Sequence, residues 1–191
     1  MTIPRPWAYS AFRLHVARVR RPTTGLVRLP LVGDDIEHFA PWRLDQRIKV
    51  VVPAPGADIA ATGLLDEPTP PPASWHARWR ELPSERRNPL RTYTPSAIRV
   101  PQRELDIDVV VHEPPGPASS WAQRARVGDE VVVTGPDARC GWTGTGIAWR
   151  PAAARRALLI GDATALPAIR NIVEAVRAGT QRVREVEALV E

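Results

Sequence analysis

The chain predicts a β plus α/β architecture: an antiparallel six-stranded β-barrel, then the start of a parallel α/β domain. Three observations predict it. Short runs with period-two alternation of apolar and polar residues recur through the first two thirds of the chain, as half-buried strands require. The 21 prolines cluster at the ends of these runs, where they punctuate strands and turns. Past residue 150 the pattern changes to strand, turn, amphipathic helix and strand, the signature of a parallel crossover.

The first strand covers Ala11–Arg20, with Phe12, Leu14 and Val16 alternating against Arg13 and His15. Thr23-Thr24-Gly25 is a turn into a second strand, Leu26–Leu31, and the two form a hairpin. Ile48–Pro53 is a third strand. The Pro-, Ala- and Thr-rich stretch 57–72 reads as a loop not ordered throughout. Trp75, Trp79 and Leu82 recur at helical spacing. A fourth strand spans Arg91–Val100 and pairs in a hairpin with a fifth, Leu105–His112. A Gly/Pro turn then leads to a helix capped by Ser119 or Ser120 and running to about Arg126. Val131–Pro136 closes the barrel. Ala157–Ile160, the helix Leu166–Ala178 and a strand over Arg182–Val190 begin the second unit.

Composition narrows the function. Lys and Arg total 26 against 21 Asp and Glu, a modest excess that fits anionic partners in general. Basic blocks interleaved with aromatics are absent, and so are nucleic-acid-binding spacings, so no nucleic-acid partner is expected. One cysteine, Cys140, rules out an intrachain disulfide and a cysteine-based metal site. Met1–Pro6 holds no apolar run for a leader, and no stretch approaches a membrane span, so a cytoplasmic location is expected.

The stretch richest in chemistry is Arg91-Thr92-Tyr93-Thr94. On a strand, Arg91 and Tyr93 share one face and Thr94 takes the other. A guanidinium grips a pyrophosphate through two parallel hydrogen bonds, an aromatic ring packs on a flat isoalloxazine, and a hydroxyl reaches its edge. The set suits a flavin. One strand later, the turn at Gly116-Pro117-Ala118-Ser119-Ser120 opens a helix whose free amides suit a phosphate.

Taken in order, Trp75-His-Ala-Arg-Trp-Arg, Arg91-Thr-Tyr-Thr, Leu105-Asp-Ile-Asp-Val-Val-Val-His, Gly116-Pro-Ala-Ser-Ser-Trp-Ala, Gly128-Asp, Gly135-Pro and Leu158-Leu-Ile-Gly-Asp-Ala-Thr-Ala-Leu-Pro-Ala-Ile resemble the siderophore-interacting proteins. These are FAD-dependent ferric-siderophore reductases of the ferredoxin reductase superfamily. The resemblance implies an FAD-binding barrel at 1–150 and an incomplete NAD(P)-binding-like unit at 151–191, as though the chain were a fragment. It implies that Arg91, Tyr93 and Thr94 hold the flavin pyrophosphate and ring, with Thr92 and Asp108 beside them. His112 and the turn Gly116–Ser120 would hold the diphosphate or adenine side. Lys49 and Arg139 would belong to a basic cluster for the ferric siderophore. One departure stands out: Pro95-Ser96 follows where the family carries a second arginine, so one charge near the flavin is missing.

For the nucleotide, Gly144-Thr145-Gly146-Ile147-Ala148 imitates a binding loop but precedes its strand rather than following it. Gly161-Asp162-Ala163-Thr164 follows the strand and opens the helix, the geometry such a site needs, although ordinary α/β packing explains a Gly-Asp turn as well. The resemblance therefore implies FAD as cofactor, with NADH, NADPH or ferredoxin as donor. Electrons would pass through FAD to Fe(III), which oxygen ligands hold far more tightly than Fe(II), so reduction becomes release. The alternatives are a flavin reductase with another acceptor and a non-catalytic FAD-binding fragment.

Overall fold

The structure, a computed structural model, describes residues 8–191; the stretch 1–6 read for a leader lies outside the described residues. Eight strands form one curled, mainly antiparallel sheet: β1 Tyr9–Val16, β2 Arg20–Thr23, β3 Leu26–Val32, β4 Ile48–Val51, β5 Leu90–Tyr93, β6 Ala97–Arg99, β7 Glu104–Val110 and β8 Glu130–Pro136. Their order is β5-β4-β8-β1-β3-β7-β6, with β2 beside β3. The expected six strands become eight because two of them break. Ala17, Arg18 and Val19 interrupt the first, so β2 makes the hairpin with the start of β3, while β1 pairs along its length with β8 and meets β3 at His15 and Val16. Thr94-Pro95-Ser96 interrupts the fourth. Proline has no amide hydrogen to give a ladder, so β5 pairs with β4, and only β6 makes the hairpin with β7.

Alternation sets the core. Phe12, Leu14, Leu29, Leu31, Ile48, Val50, Ile107 and Val133 point inward and are at most 1% exposed. Burying such side chains contributes about 1.5–3 kcal/mol each. The outward residues of β4 and β8, Val51 and Val132, are covered by a second cluster with Leu64 and Trp75. Leu64 anchors the stretch 57–72, which is thereby ordered, with a 3-10 turn at Ala60–Thr62 and a buried Thr69. Helix α1, Pro72–Glu81, starts before the expected Trp75 because a proline suits a first turn. For the same reason α2, Pro117–Arg124, is capped by Gly116 rather than by Ser119 or Ser120.

The second unit is β9 Arg156–Gly161, α3 Leu166–Arg177 and β10 Glu185–Val190, with the two strands parallel. It docks on the sheet through Leu44, Ile147 and Ile172. Buried Asn171 of α3 donates to the carbonyls of Leu44 and Pro95, both at 3.0 Å. Arg170 bonds the Ser96 carbonyl, and Arg43 pairs with Glu174. No helix among the described residues is long and apolar enough to cross a membrane.

Candidate flavin site

The sheet does not close. Strand β6 covers β7 only from Glu104 to Asp106, so Asp108–Val110 faces an open seam whose other side is β5, the far edge of the sheet. A cleft of about 510 Å³ occupies the seam. Arg91, Tyr93 and Thr94 line one side, and Asp108, Val110 and His112 the other. The start of α2 (Gly116 to Ser119) and Thr164 with Pro167 of the second unit complete it.

Arg91 is exposed, and among the described residues its guanidinium reaches only its own strand's Leu90 carbonyl, at 2.9 Å. Tyr93 is half-buried against the core, and burial pushes its hydroxyl up to about 12 against the nearby Arg91 charge, so it stays a neutral ring. Thr92 turns to the opposite face, where its Oγ1 accepts from Lys49 Nζ at 2.6 Å. Asp108 is not a free carboxylate. Arg28 grips both oxygens at 2.7 and 2.8 Å, and Ser96 donates at 3.0 Å. Asp108 thus ties β7 to β3 and fixes the loop that carries Thr94. The Ser119 hydroxyl donates to the Val110 carbonyl at 2.9 Å, docking α2 on the end of β7. Ser120 turns back to the Pro115 carbonyl and does not line the cleft.

These residues fit FAD. A diphosphate needs cations and unpaired amides, and the cleft offers the Arg91 guanidinium opposite the start of α2. That helix has no side-chain cap, so the amides of Ala118 and Ser119 remain available. A Cβ placed on Gly116 would meet nothing within 4 Å, which leaves the approach open. The single acidic lining residue, Asp108, is neutralised by Arg28.

The second unit brings Thr164 to the same cleft. Gly161 and Asp162 stay behind it and build the turn: Asp162 accepts from Thr164 N at 2.9 Å and Oγ1 at 2.6 Å. Those Thr164 bonds hold its carboxyl below the usual range. Gly161 is required by space, since a Cβ there would lie 2.5 Å from that of Ala165. The Gly144–Ala148 segment makes no nucleotide turn. Gly146, at φ 83, lies on the backbone of Arg47 and accepts its amide at 2.9 Å.

Of the two cations expected for the siderophore, Lys49 lies on the outer face of β4 beside a second cleft. Arg139 lies outside both clefts. Its guanidinium bonds both oxygens of fully buried Asp137, to which Ser10 also donates at 2.6 Å. Burial opposes ionisation of Asp137, but the bonds from Arg139 and Ser10 outweigh it and hold the carboxyl below its usual range. Arg139 is therefore a structural residue. Arg47, which the linear pattern did not single out, lines both clefts. Its only signal is a cation one residue before an inward-facing strand position.

Comparison with known proteins agrees with this geometry. Residues 15–140 match the siderophore-interacting FAD-binding domain. The NADPH-dependent ferric-chelate reductase of Escherichia coli K12 is 33% identical over 123 residues, 64% of this chain and 43% of that protein. The ferric vibriobactin reductase of Vibrio cholerae is 30% identical over 161 residues, 84% of this chain and 52% of that protein. The chain thus spans about half the length of these relatives. Among solved structures, a siderophore utilization protein from T. fusca superposes with a TM-score of 0.68 at 27% identity, covering 97% of this chain and 62% of that one. The cytochrome b5 reductase domain of Ulva prolifera nitrate reductase shares the fold, with a TM-score of 0.63 at 12% identity over 99% of this chain and 65% of that one. With the seam, Arg91 and the helix start in place, the match over 15–140 settles the family: this chain belongs to the siderophore-interacting FAD-binding domain proteins.

Proposed function

We propose that the protein is an FAD-dependent reductase of ferric siderophores, taking electrons from NADH or NADPH in the cytoplasm. The observation that carries this reading is the seam cleft, where Arg91 and the start of α2 face each other and Thr164 of the second unit looks in. The relatives named for ferric-chelate and ferric vibriobactin reduction support the substrate class.

FAD, when bound, supplies the means of accepting two electrons together and releasing them singly. The chain's own residues bind and orient. Arg91 neutralises diphosphate charge through its fork, and the amides at the start of α2 take phosphate oxygens. Tyr93 offers a neutral ring, and the loop just after Thr94 is pinned by the bonds of Ser96 to Asp108 and of Asn171 to the Pro95 carbonyl, so Thr94 would be presented to the flavin edge. Thr164 and Pro167 form the wall where a nicotinamide would approach. Arg47 and Lys49 draw an anionic chelate toward the site. No nucleophile or general base is needed, because loss of charge at iron weakens its hold on oxygen ligands.

A visible spectrum of the purified chain with FAD, then with NADPH or NADH, a ferric siderophore and a ferrous trap, tests the reading. A bound-flavin spectrum that bleaches and yields ferrous iron is expected. Bleaching with transfer only to another oxidant would make it a flavin reductase of different acceptor. Bound flavin that neither pyridine nucleotide bleaches, but reduced ferredoxin does, would replace the donor. Bound flavin that no donor reduces would leave an FAD-binding fragment, and no bound flavin would sink the proposal.

A further inference from the structure

The second unit has a basic hollow at the end away from the seam. Strands β9 and β10 run parallel, so Arg155 and Arg184, each just ahead of its strand, are neighbours. The Arg155 carbonyl fixes them there by accepting the amides of Arg184 at 2.8 Å and Glu185 at 3.2 Å. The turn after α3 adds Gly179, Thr180, Gln181 and Arg182, and the space these residues line measures about 520 Å³. Thr164 and Pro167 of the seam cleft follow the other end of β9, six residues and roughly 20 Å along the strand.

The hollow gathers positive charge without a counter-charge. Among the described residues no carboxylate lines it, and Arg155, Arg182 and Arg184 make no ion pair. Glu185, the acidic residue next in the chain, is taken by Arg156 at 2.9 Å. Exposed arginines elsewhere do find carboxylates, as Arg43 finds Glu174 and Arg103 finds Asp34. Like charges held together by the backbone repel one another, and a bound anion relieves that cost.

The turn supplies donors of a second kind. The Thr180 amide and hydroxyl both serve the Ala175 carbonyl, at 3.1 and 2.9 Å, and so close the end of α3. The next two amides, of Gln181 and Arg182, have no hydrogen-bond partner among the described residues. The Gln181 side chain holds the turn in place: its Oε1 accepts from Trp149 Nε1 at 3.0 Å, and its Nε2 donates to the Thr180 carbonyl at 3.2 Å. Successive unbonded amides in a turn form a concavity suited to an anion.

These donors select the ligand. A guanidinium fork matches two oxygens of one phosphate. Three forks and two amides offer more than a single phosphate can engage, so the hollow suits several phosphates in a row. No aromatic residue lines it, so a nucleobase would find no ring to stack on.

We propose that this hollow is a binding site for a linear polyphosphate chain, held by Arg155, Arg182, Arg184 and the turn amides. It uses no residue of the seam cleft, so it stands apart from the reductase reading.

Calorimetric titration of the whole chain with inorganic tripolyphosphate, without and with saturating FAD, tests it. One equivalent is expected to bind with FAD present, at least roughly tenfold more tightly than orthophosphate, the scale of an added charged hydrogen bond. Arg155→Gln, Arg182→Gln and Arg184→Gln should each weaken it by about fivefold to tenfold. Arg86→Gln, which removes the same charge from an exposed position outside the hollow, should leave it unchanged. Tripolyphosphate should also slow hydrogen exchange over 180–184, and melting temperatures of the variants would exclude misfolding. No binding, or binding abolished by FAD, would overturn the inference, the latter by placing the anion in the seam cleft. An equal loss in Arg86→Gln would reduce it to net charge, and tighter binding of citrate would reject the phosphate chain. Sedimentation with phosphatidylglycerol vesicles in a chain that ignores tripolyphosphate would replace the free ligand by a lipid surface and overturn it too. A chain that binds no FAD would lose the reductase reading, and the three arginine variants would still decide this one.

Discussion

Arg91 and Arg139 carry the same guanidinium and have opposite fates, and the partners decide which. Arg139 is held by a buried carboxylate, whereas Arg91 reaches only a neighbouring carbonyl and keeps its fork for a ligand. Replacing Arg91 by Ala should therefore weaken FAD by about 1.5–3 kcal/mol, a loss on the order of ten- to a hundredfold in Kd by flavin fluorescence, with the melting temperature of the apoprotein unchanged. Arg91→Lys should recover part of it, since it restores charge but not the paired geometry. Wild-type affinity in Arg91→Ala would remove this residue from the site. Arg139→Ala should leave FAD affinity alone and lower stability, because Asp137 would lose its main partner.

At the scale of elements, strand existence was legible along most of the barrel because alternation is a local property. Where strands pair was less legible. Pro95 divides one expected strand into two that lie at opposite edges of the sheet, and nothing in a run of residues says that β5 belongs with β4. The cleft-lining stretch Arg91–Thr94 could be singled out directly, since its residues are adjacent in the chain. The neutralisation of Asp108 by Arg28 could not, being a cross-strand pair between residues eighty positions apart. Helix α3 was read as a helix, but its clamp on the loop after β5 depends on docking. Asn171→Ala should leave the carbonyls of Leu44 and Pro95 unpaired and cost about 1–3 kcal/mol. Hydrogen exchange should rise over 43–47 and 94–96 while β1 and β8 stay protected. Uniform loss of protection would show instead that docking is inseparable from the barrel's own folding.

For the molecule as a whole, carboxylates held by arginines make acid the weak side of stability. Asp137 and Glu104 both lose solvation on folding, but bonds from Arg139 and Ser10, and from Arg99 and Arg18, leave each ionising below its ordinary value. The unfolded chain thus binds protons more readily, so this stability is present above the unfolded values of about 4 and is lost as pH falls through the lower folded ones. Denaturant midpoints should fall below about pH 4, and Asp137→Asn should flatten that dependence at the expense of stability at neutral pH. An unchanged acid limb in the variant would assign it to other carboxylates. The second unit adds another liability: Leu158, Ile160 and Leu189 lie exposed on one face of its two-stranded sheet, so Ile160→Lys should raise solubility as measured by light scattering.

Arg47 and Thr92 form a wall common to both clefts. A party wall of this kind makes the two occupants answerable to one another. If an anionic ligand in the second cleft, beside Lys49, alters the Kd of FAD by some factor, FAD must alter the Kd of that ligand by the same factor, because the two orders of loading end in the same complex. Titrating each in the presence and absence of the other closes the cycle, and Arg47→Ala, which removes a shared side chain, should draw that factor toward one.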